Sequence, residues 1–138
     1  MRVLGVDHGE RRIGLAISDA TGTIAGPLNV LKHISRAVDA GQVAAVALER
    51  EAELIVIGQS FDEQGRANAA GRSAERFAEA LKLQTTLPIV LWDESMSTSD
   101  ARDFRIEMGV SRKKRSGHLD EAAAAVILQS YLDAQRGR

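Results

Sequence analysis

The chain has no cysteine. Disulfide scaffolds, thiolate metal sites and thiol nucleophiles are therefore excluded together, and the absence fits a reducing cytosol. Long hydrophobic runs are also missing. The longest apolar stretch, Ala122 to Leu128, falls far short of the ~20 residues that span a bilayer. The opening residues MRVLGVDHGERR hold no apolar segment of the secretory kind. These absences lead to the expectation of a cytoplasmic protein with no membrane association. Neither sign of charge dominates: 18 Lys and Arg face 19 Asp and Glu, a net charge of −1. Global charge thus gives no sign of a nucleic-acid partner. At 138 residues the chain is expected to form a single domain over 1–138, too short for a two-lobed kinase or ATPase.

What is present begins with local charge. Ser111 to His118 (SRKKRSGH) carries four cations and no anion, a candidate phosphate contact as well as an ordinary solvated loop. Periodicity supplies the elements. Arg2–Asp7 (RVLGVD) is short, apolar and β-branched and runs into an Asp-His-Gly turn, which reads as a strand. Arg12–Asp19 and Thr23–Leu31 read as two more, the last at a sheet edge because of Pro27. Short connections make these three an antiparallel meander. The pattern then changes to a helix over Ser35–Glu51, a strand buried on both faces at Leu54–Gly58 (LIVIG), a helix over Asn68–Leu83 and a second buried strand at Pro88–Trp92. A short helix is expected over Ser97–Met108, with Asp100 three residues after Ser97 in capping-box spacing. The last helix, Leu119–Ala134, carries apolar Leu119, Ala122, Ala123, Val126 and Ile127 along one stripe. The expected class is α/β: a mixed five-stranded sheet, three antiparallel strands then parallel ones, flanked by helices.

In open α/β sheets ligands gather at the carboxyl ends of parallel strands. Three acids fall where they could meet there: Asp7 at the end of the first strand, Glu94 just past the strand ending at Trp92, and Asp120 in the first turn of the last helix. Converging carboxylates repel one another unless cations or substrate groups offset the repulsion. Mg²⁺ takes such oxygen ligands, and two ions about 4 Å apart suit phosphodiester hydrolysis. Each acid also has an ordinary reading, as a turn former, a solvated loop charge or a helix-dipole partner. His8 and His118 are weaker candidates, for a metal and a phosphate respectively. Gly9, Gly14, Arg11 and Arg12 in the first hairpin would permit a close phosphate approach.

The segments GVDHGERRIGLAISD, LIVIG, WDESMSTSDA and HLDEAAAAVILQSYL resemble the YqgF (RuvX) family over about Arg2 to Leu132. The first and last are fairly specific; LIVIG alone is not. The resemblance implies a ribonuclease H-like fold, a likeness to Holliday-junction resolvases and a nuclease that matures the 5′ end of pre-16S ribosomal RNA. It implies that Asp7, Glu94 and Asp120 are catalytic carboxylates and metal ligands for a pair of Mg²⁺ or Mn²⁺ ions. It implies a phosphate-side role for Arg12. Gly14, Ser18 and Thr98 also fall on motif positions, read as structural. Two departures stand out. Ser95 replaces the Arg that usually follows the Asp-Glu pair, and Gln59-Ser60 replace the usual Leu-Pro, followed by Phe61, Asp62 and Glu63 in what reads as a plain exposed loop.

The expected function is divalent-metal-dependent hydrolysis of precursor ribosomal RNA. Arg12, Arg112, Lys113, Lys114 and Arg115 are the expected nucleic-acid-binding residues, giving affinity without sequence readout. The alternatives are a DNA junction resolvase, for which a homodimer would supply paired cuts, a non-catalytic nucleic-acid-binding factor, and an actin-like ATP-binding domain. Monomer and homodimer are both compatible with the sequence.

Overall fold

The computed structural model describes residues 1–94 and 119–137. The expected helix at Ser97–Met108, Ser95, Thr98 and the basic run with His118 lie outside the described residues. Five strands form one sheet: β1 (Val3–His8), β2 (Arg12–Ser18), β3 (Ala25–Lys32), β4 (Leu54–Gln59) and β5 (Ile89–Asp93), in the order β3-β2-β1-β4-β5. β1, β2 and β3 make the expected antiparallel meander; β4 joins β1, and β5 joins β4, in parallel. Three helices are described: α1 (Arg36–Glu49), α2 (Ala69–Lys82) and α3 (Leu119–Arg136).

The pleat divides each strand between two cores. Leu4, Val6, Ile13, Leu15, Ile55 and Ile57 face α1 and α2, where they meet Val43, Ala47, Phe77 and Leu81. Val3, Ala16, Leu54 and Val56 face α3, against Ala124, Ala125, Leu128 and Leu132. β4 is buried throughout, as an apolar run with no alternation requires. Pro27 lies on β3, which is an edge strand, where its missing N–H is tolerated.

Local polar groups fix the helix starts. Ser35 caps α1 by accepting from the Val38 amide at 3.2 Å, and Asn68 caps α2 by accepting from the Gly71 amide at 2.8 Å. Asp39 is buried on α1. It accepts from the Ile34 amide at 2.9 Å and pairs with the His33 ring, which pins the β3–α1 junction. The loop after β4 is more ordered than a plain exposed loop. Phe61 bridges Ala67, and the Asp62 carboxylate accepts from the Gln64 and Arg66 amides. Gln59 is buried and donates to the Gly71 carbonyl at 3.4 Å, while the Ser60 hydroxyl donates to Asn68 at 2.7 Å. The Gln-Ser pair thus ties the end of β4 to the start of α2. Among the described residues no helix is long and apolar enough to cross a membrane.

Candidate functional site

β1, β4 and β5 are parallel, so their carboxyl ends share one edge of the sheet. Asp7 is the penultimate residue of β1, two places after Gly5 and four after Val3. Those residues face α3: Val3 belongs to the core on that side, and a Cβ on Gly5 would lie 2.8 Å from Leu128 Cβ and 3.2 Å from the Ala124 carbonyl oxygen. Alternation therefore carries Asp7 to the α3 face. β1 is the middle strand of the sheet and pairs on both sides, which makes it a rigid base for a charged group.

Glu94 follows β5 on the same face. Trp92, two residues earlier, packs on the α3 side, with its ring edge-on to Tyr131 and its Nε1 donating to Ser130 Oγ at 3.1 Å. The Glu94 side chain folds back across Gly58 at the end of β4. A Cβ built on Gly58 would stand 3.0 Å from Glu94 Oε1, 3.1 Å from its Cγ and 2.7 Å from Ile127 Cδ1. The bare backbone of Gly58 is thus the floor on which the carboxylate rests. In the parallel ladder Val6 pairs with Ile57, so Gly58 sits beside Asp7, one strand spacing of roughly 4.8 Å away.

Burial pushes the Glu94 carboxyl above the usual glutamate range, and the neighbouring charge of Asp93 pushes it the same way. α3 runs from this edge down the sheet, since Ala124 and Leu128 lie over Gly5 and Leu132 belongs to the cluster with Val3 and Leu54. Asp120 is in its first turn, one turn before Ala124. The backbone of Asp120 therefore belongs to the same end of the sheet as Asp7 and Glu94. Among the described residues no three His, Asp or Glu side chains gather closely enough to hold a metal ion by themselves.

Other sequence candidates fall elsewhere. His8 belongs to the opposite face. Its ring stacks on Phe77 at a centroid distance of 4.5 Å, and burial lowers its proton affinity against the opposing pull of Asp39. It is a partly buried packing residue, remote in direction from the carboxylates. Arg12 opens β2, exposed, on the same face as Asp7: Gly14 pairs with Asp7 and Arg12 lies two residues further toward the turn. Two features went unread in the sequence. Gly58 was legible as the end of a buried strand but not as the seat of Glu94, and the proximity of the two depends on the β4–β5 ladder. Lys32, one residue beyond the expected strand Thr23–Leu31, is the last residue of β3, directly opposite Arg12.

A family model described as RuvX, Holliday junction resolvase, matches residues 1–134. Curated relatives include a protein of Thermoanaerobacter pseudethanolicus, 39% identical with all of both chains covered. One of Anaeromyxobacter sp. (strain Fw109-5) is 41% identical over 98% of each chain. One of Geobacillus kaustophilus is 41% identical over 99% of this chain and 100% of the relative. All three are named for an inferred activity, pre-16S rRNA nuclease. Among solved structures, Thermus thermophilus RuvC in complex with a Holliday junction substrate superposes with a TM-score of 0.66 at 18% identity, covering 99% of this chain and 96% of that one. The Fowlpox virus resolvase with Holliday junction DNA gives 0.52 at 10% identity, covering 98% and 99%. At such low identity these two speak for the fold, which is ribonuclease H-like, as the sequence resemblance implied.

Proposed function

The chain belongs to the RuvX family and is a nuclease, and from that premise we propose that Asp7, Glu94 and Asp120 form its catalytic centre and that its substrate is the 5′ end of pre-16S ribosomal RNA. The observation that carries the reading is the seating of Glu94 over Gly58, on the face and at the sheet edge where Asp7 ends β1. The substrate is supported by relatives of about 40% identity over essentially their full length, all named for that activity. Action on ribosomal RNA also suits a protein working in the cytoplasm.

The donor set fits a hard divalent cation, Mg²⁺ or Mn²⁺, held by carboxylate oxygens. Glu94 is disfavoured as an anion by burial and by Asp93, and a cation at that corner offsets both effects. Bound there, one or two such ions supply water of lowered pKa and neutralise charge on the leaving oxygen. The rest is done by the protein. Asp7 is held on a central strand that cannot shift without breaking two ladders. Gly58 leaves room for Glu94 to approach Asp7, and Ile127 closes the floor on the α3 side. Asp120 stands in the first turn of α3, at the same end of the sheet. Arg12 supplies a phosphate contact on the same face, and the basic residues Arg112, Lys113, Lys114 and Arg115 extend it in sequence toward Asp120.

A second reading, cleavage of DNA junctions, is favoured by the family description itself. One assay separates the two. End-labelled precursor-rRNA mimic, single-stranded RNA, duplex DNA and a four-way junction are incubated with Mg²⁺, Mn²⁺ or EDTA, using wild type and Asp7→Asn. Cleavage of the RNA mimic is expected with metal, abolished by EDTA and reduced by at least about 10³-fold in the variant. Preference for the junction would transfer the substrate assignment to DNA. Activity unchanged in Asp7→Asn would remove the carboxylates from the chemistry.

A further inference from the structure

At the carboxylate edge the sheet carries a second cluster of charge, of the opposite sign. Arg12 opens β2 and Lys32 closes β3, directly opposite each other on the antiparallel ladder. Ile13 and Leu31 beside them point into the α1–α2 core, so Arg12 and Lys32 share the other face, that of Asp7. Both are exposed. The Arg11 carbonyl accepts from the His33 amide at 2.9 Å, which ties the tip of the first hairpin to the β3–α1 junction. Arg36, also exposed, opens α1 on the other side of the sheet, near His8, and is not part of this face. Across residues 9–12 and 32–36 the acidic complement is Glu10 alone; nearby Asp39 is buried and paired with His33.

For Lys32 the placement does not serve the fold, since like charges directly opposite on a ladder destabilise it. Among the described residues Lys32 has no ion-pair partner. Charges set against local stability on an exposed corner are expected where a ligand offsets them. Two strand spacings, roughly 10 Å, separate β3 from β1, so the corner flanks the carboxylates without reaching them.

The geometry points to a phosphate-binding corner in which Lys32, with Arg11 and Arg12, grips the nucleic-acid backbone to one side of the cleaved bond. This rests on the nuclease reading and adds the direction in which the substrate leaves the site, across the open end of the β2–β3 ladder. Contacts of this kind position the strand and carry no base information.

The test is the salt dependence of binding. Full-length protein is titrated in EDTA, which prevents cleavage, against fluorescent 20-nucleotide single-stranded RNA and a duplex of the same sequence, from 50 to 200 mM KCl. The double variant Arg11→Gln/Lys32→Gln is compared with wild type and with Lys32→Arg, and folding is checked by circular dichroism. Loss of two phosphate contacts lowers the slope of log affinity against log salt by about 1.4 for the single strand and about 1.8 for the duplex. The advantage of wild type over the double variant then shrinks about tenfold across that salt range. Lys32→Arg keeps the wild-type slope, because it keeps the charge. A folded double variant with the wild-type slope overturns the proposal and leaves the nuclease reading standing. Wild type that binds neither probe at 50 mM overturns both.

Discussion

The substitution Gly58→Ala tests the architecture of the proposed centre at a residue that carries no chemistry of its own. The new methyl group would lie 3.0 Å from Glu94 Oε1, 3.1 Å from Glu94 Cγ and 2.7 Å from Ile127 Cδ1. Ordinary contact needs about 3.4 Å or more, so the Glu94 carboxylate must retreat by about 0.4 Å and the Ile127 methyl by about 0.7 Å. Overpacking of this kind destabilises by about 1–3 kcal/mol. In a chain of this length that lowers Tm by about 3–10 °C. The catalytic loss should be larger than the stability loss suggests. A ligand displaced by up to 1 Å can lower the rate by about 10²-fold, and a loss of about 10–100-fold in kcat/KM is expected. The assay is metal-dependent cleavage of the RNA mimic well below the Tm of both proteins, with melting followed by circular dichroism. Adding Ile127→Val to Gly58→Ala separates the two effects. The double variant removes the closest clash and regains stability, but Glu94 stays displaced, so activity stays low. Gly58→Ala with full activity while folded would refute the idea that the seat of Glu94 matters. Activity that returns in step with stability in the double variant would show the effect to be one of folding alone.

Two further outcomes follow from other observations. Burial and Asp93 raise the proton affinity of Glu94 in the folded chain, so folding favours its protonated form; that contribution is present in acid and lost as pH rises from the ordinary glutamate range through the raised value. Without metal, Glu94→Gln should therefore melt higher than wild type at pH 8, with the difference closing toward pH 4, while losing at least about 10²-fold in cleavage; an unchanged Tm at pH 8 would refute the burial argument. Asn68→Ala removes the cap of α2, 2.8 Å from the Gly71 amide, and the acceptor of the Ser60 hydroxyl at 2.7 Å. A loss of about 1–2 kcal/mol in urea unfolding is expected, and a loss under about 0.3 kcal/mol would show that water replaces the cap.

The sequence alone determined the class of fold and most of its elements, because hydrophobic period and turn chemistry are local. RVLGVD and LIVIG have one reasonable backbone each, and all five strands and the described helices fall within a few residues of their expected limits. It also determined which acids to compare, since Asp7 and Glu94 stand at strand ends and Asp120 at a helix start. Tertiary structure decided which face each residue took and what lay beside it. His8 and Asp7 are adjacent in sequence, yet one stacks on Phe77 and the other looks toward α3, because a strand turns successive side chains to opposite sides. Gly58 and Glu94 are 36 positions apart, and only the parallel pairing of β4 with β5 brings a bare backbone under a carboxylate. Arg12 and Lys32 became a pair in the same way, through a ladder register that depends on contacts between distant segments and is written in neither segment by itself.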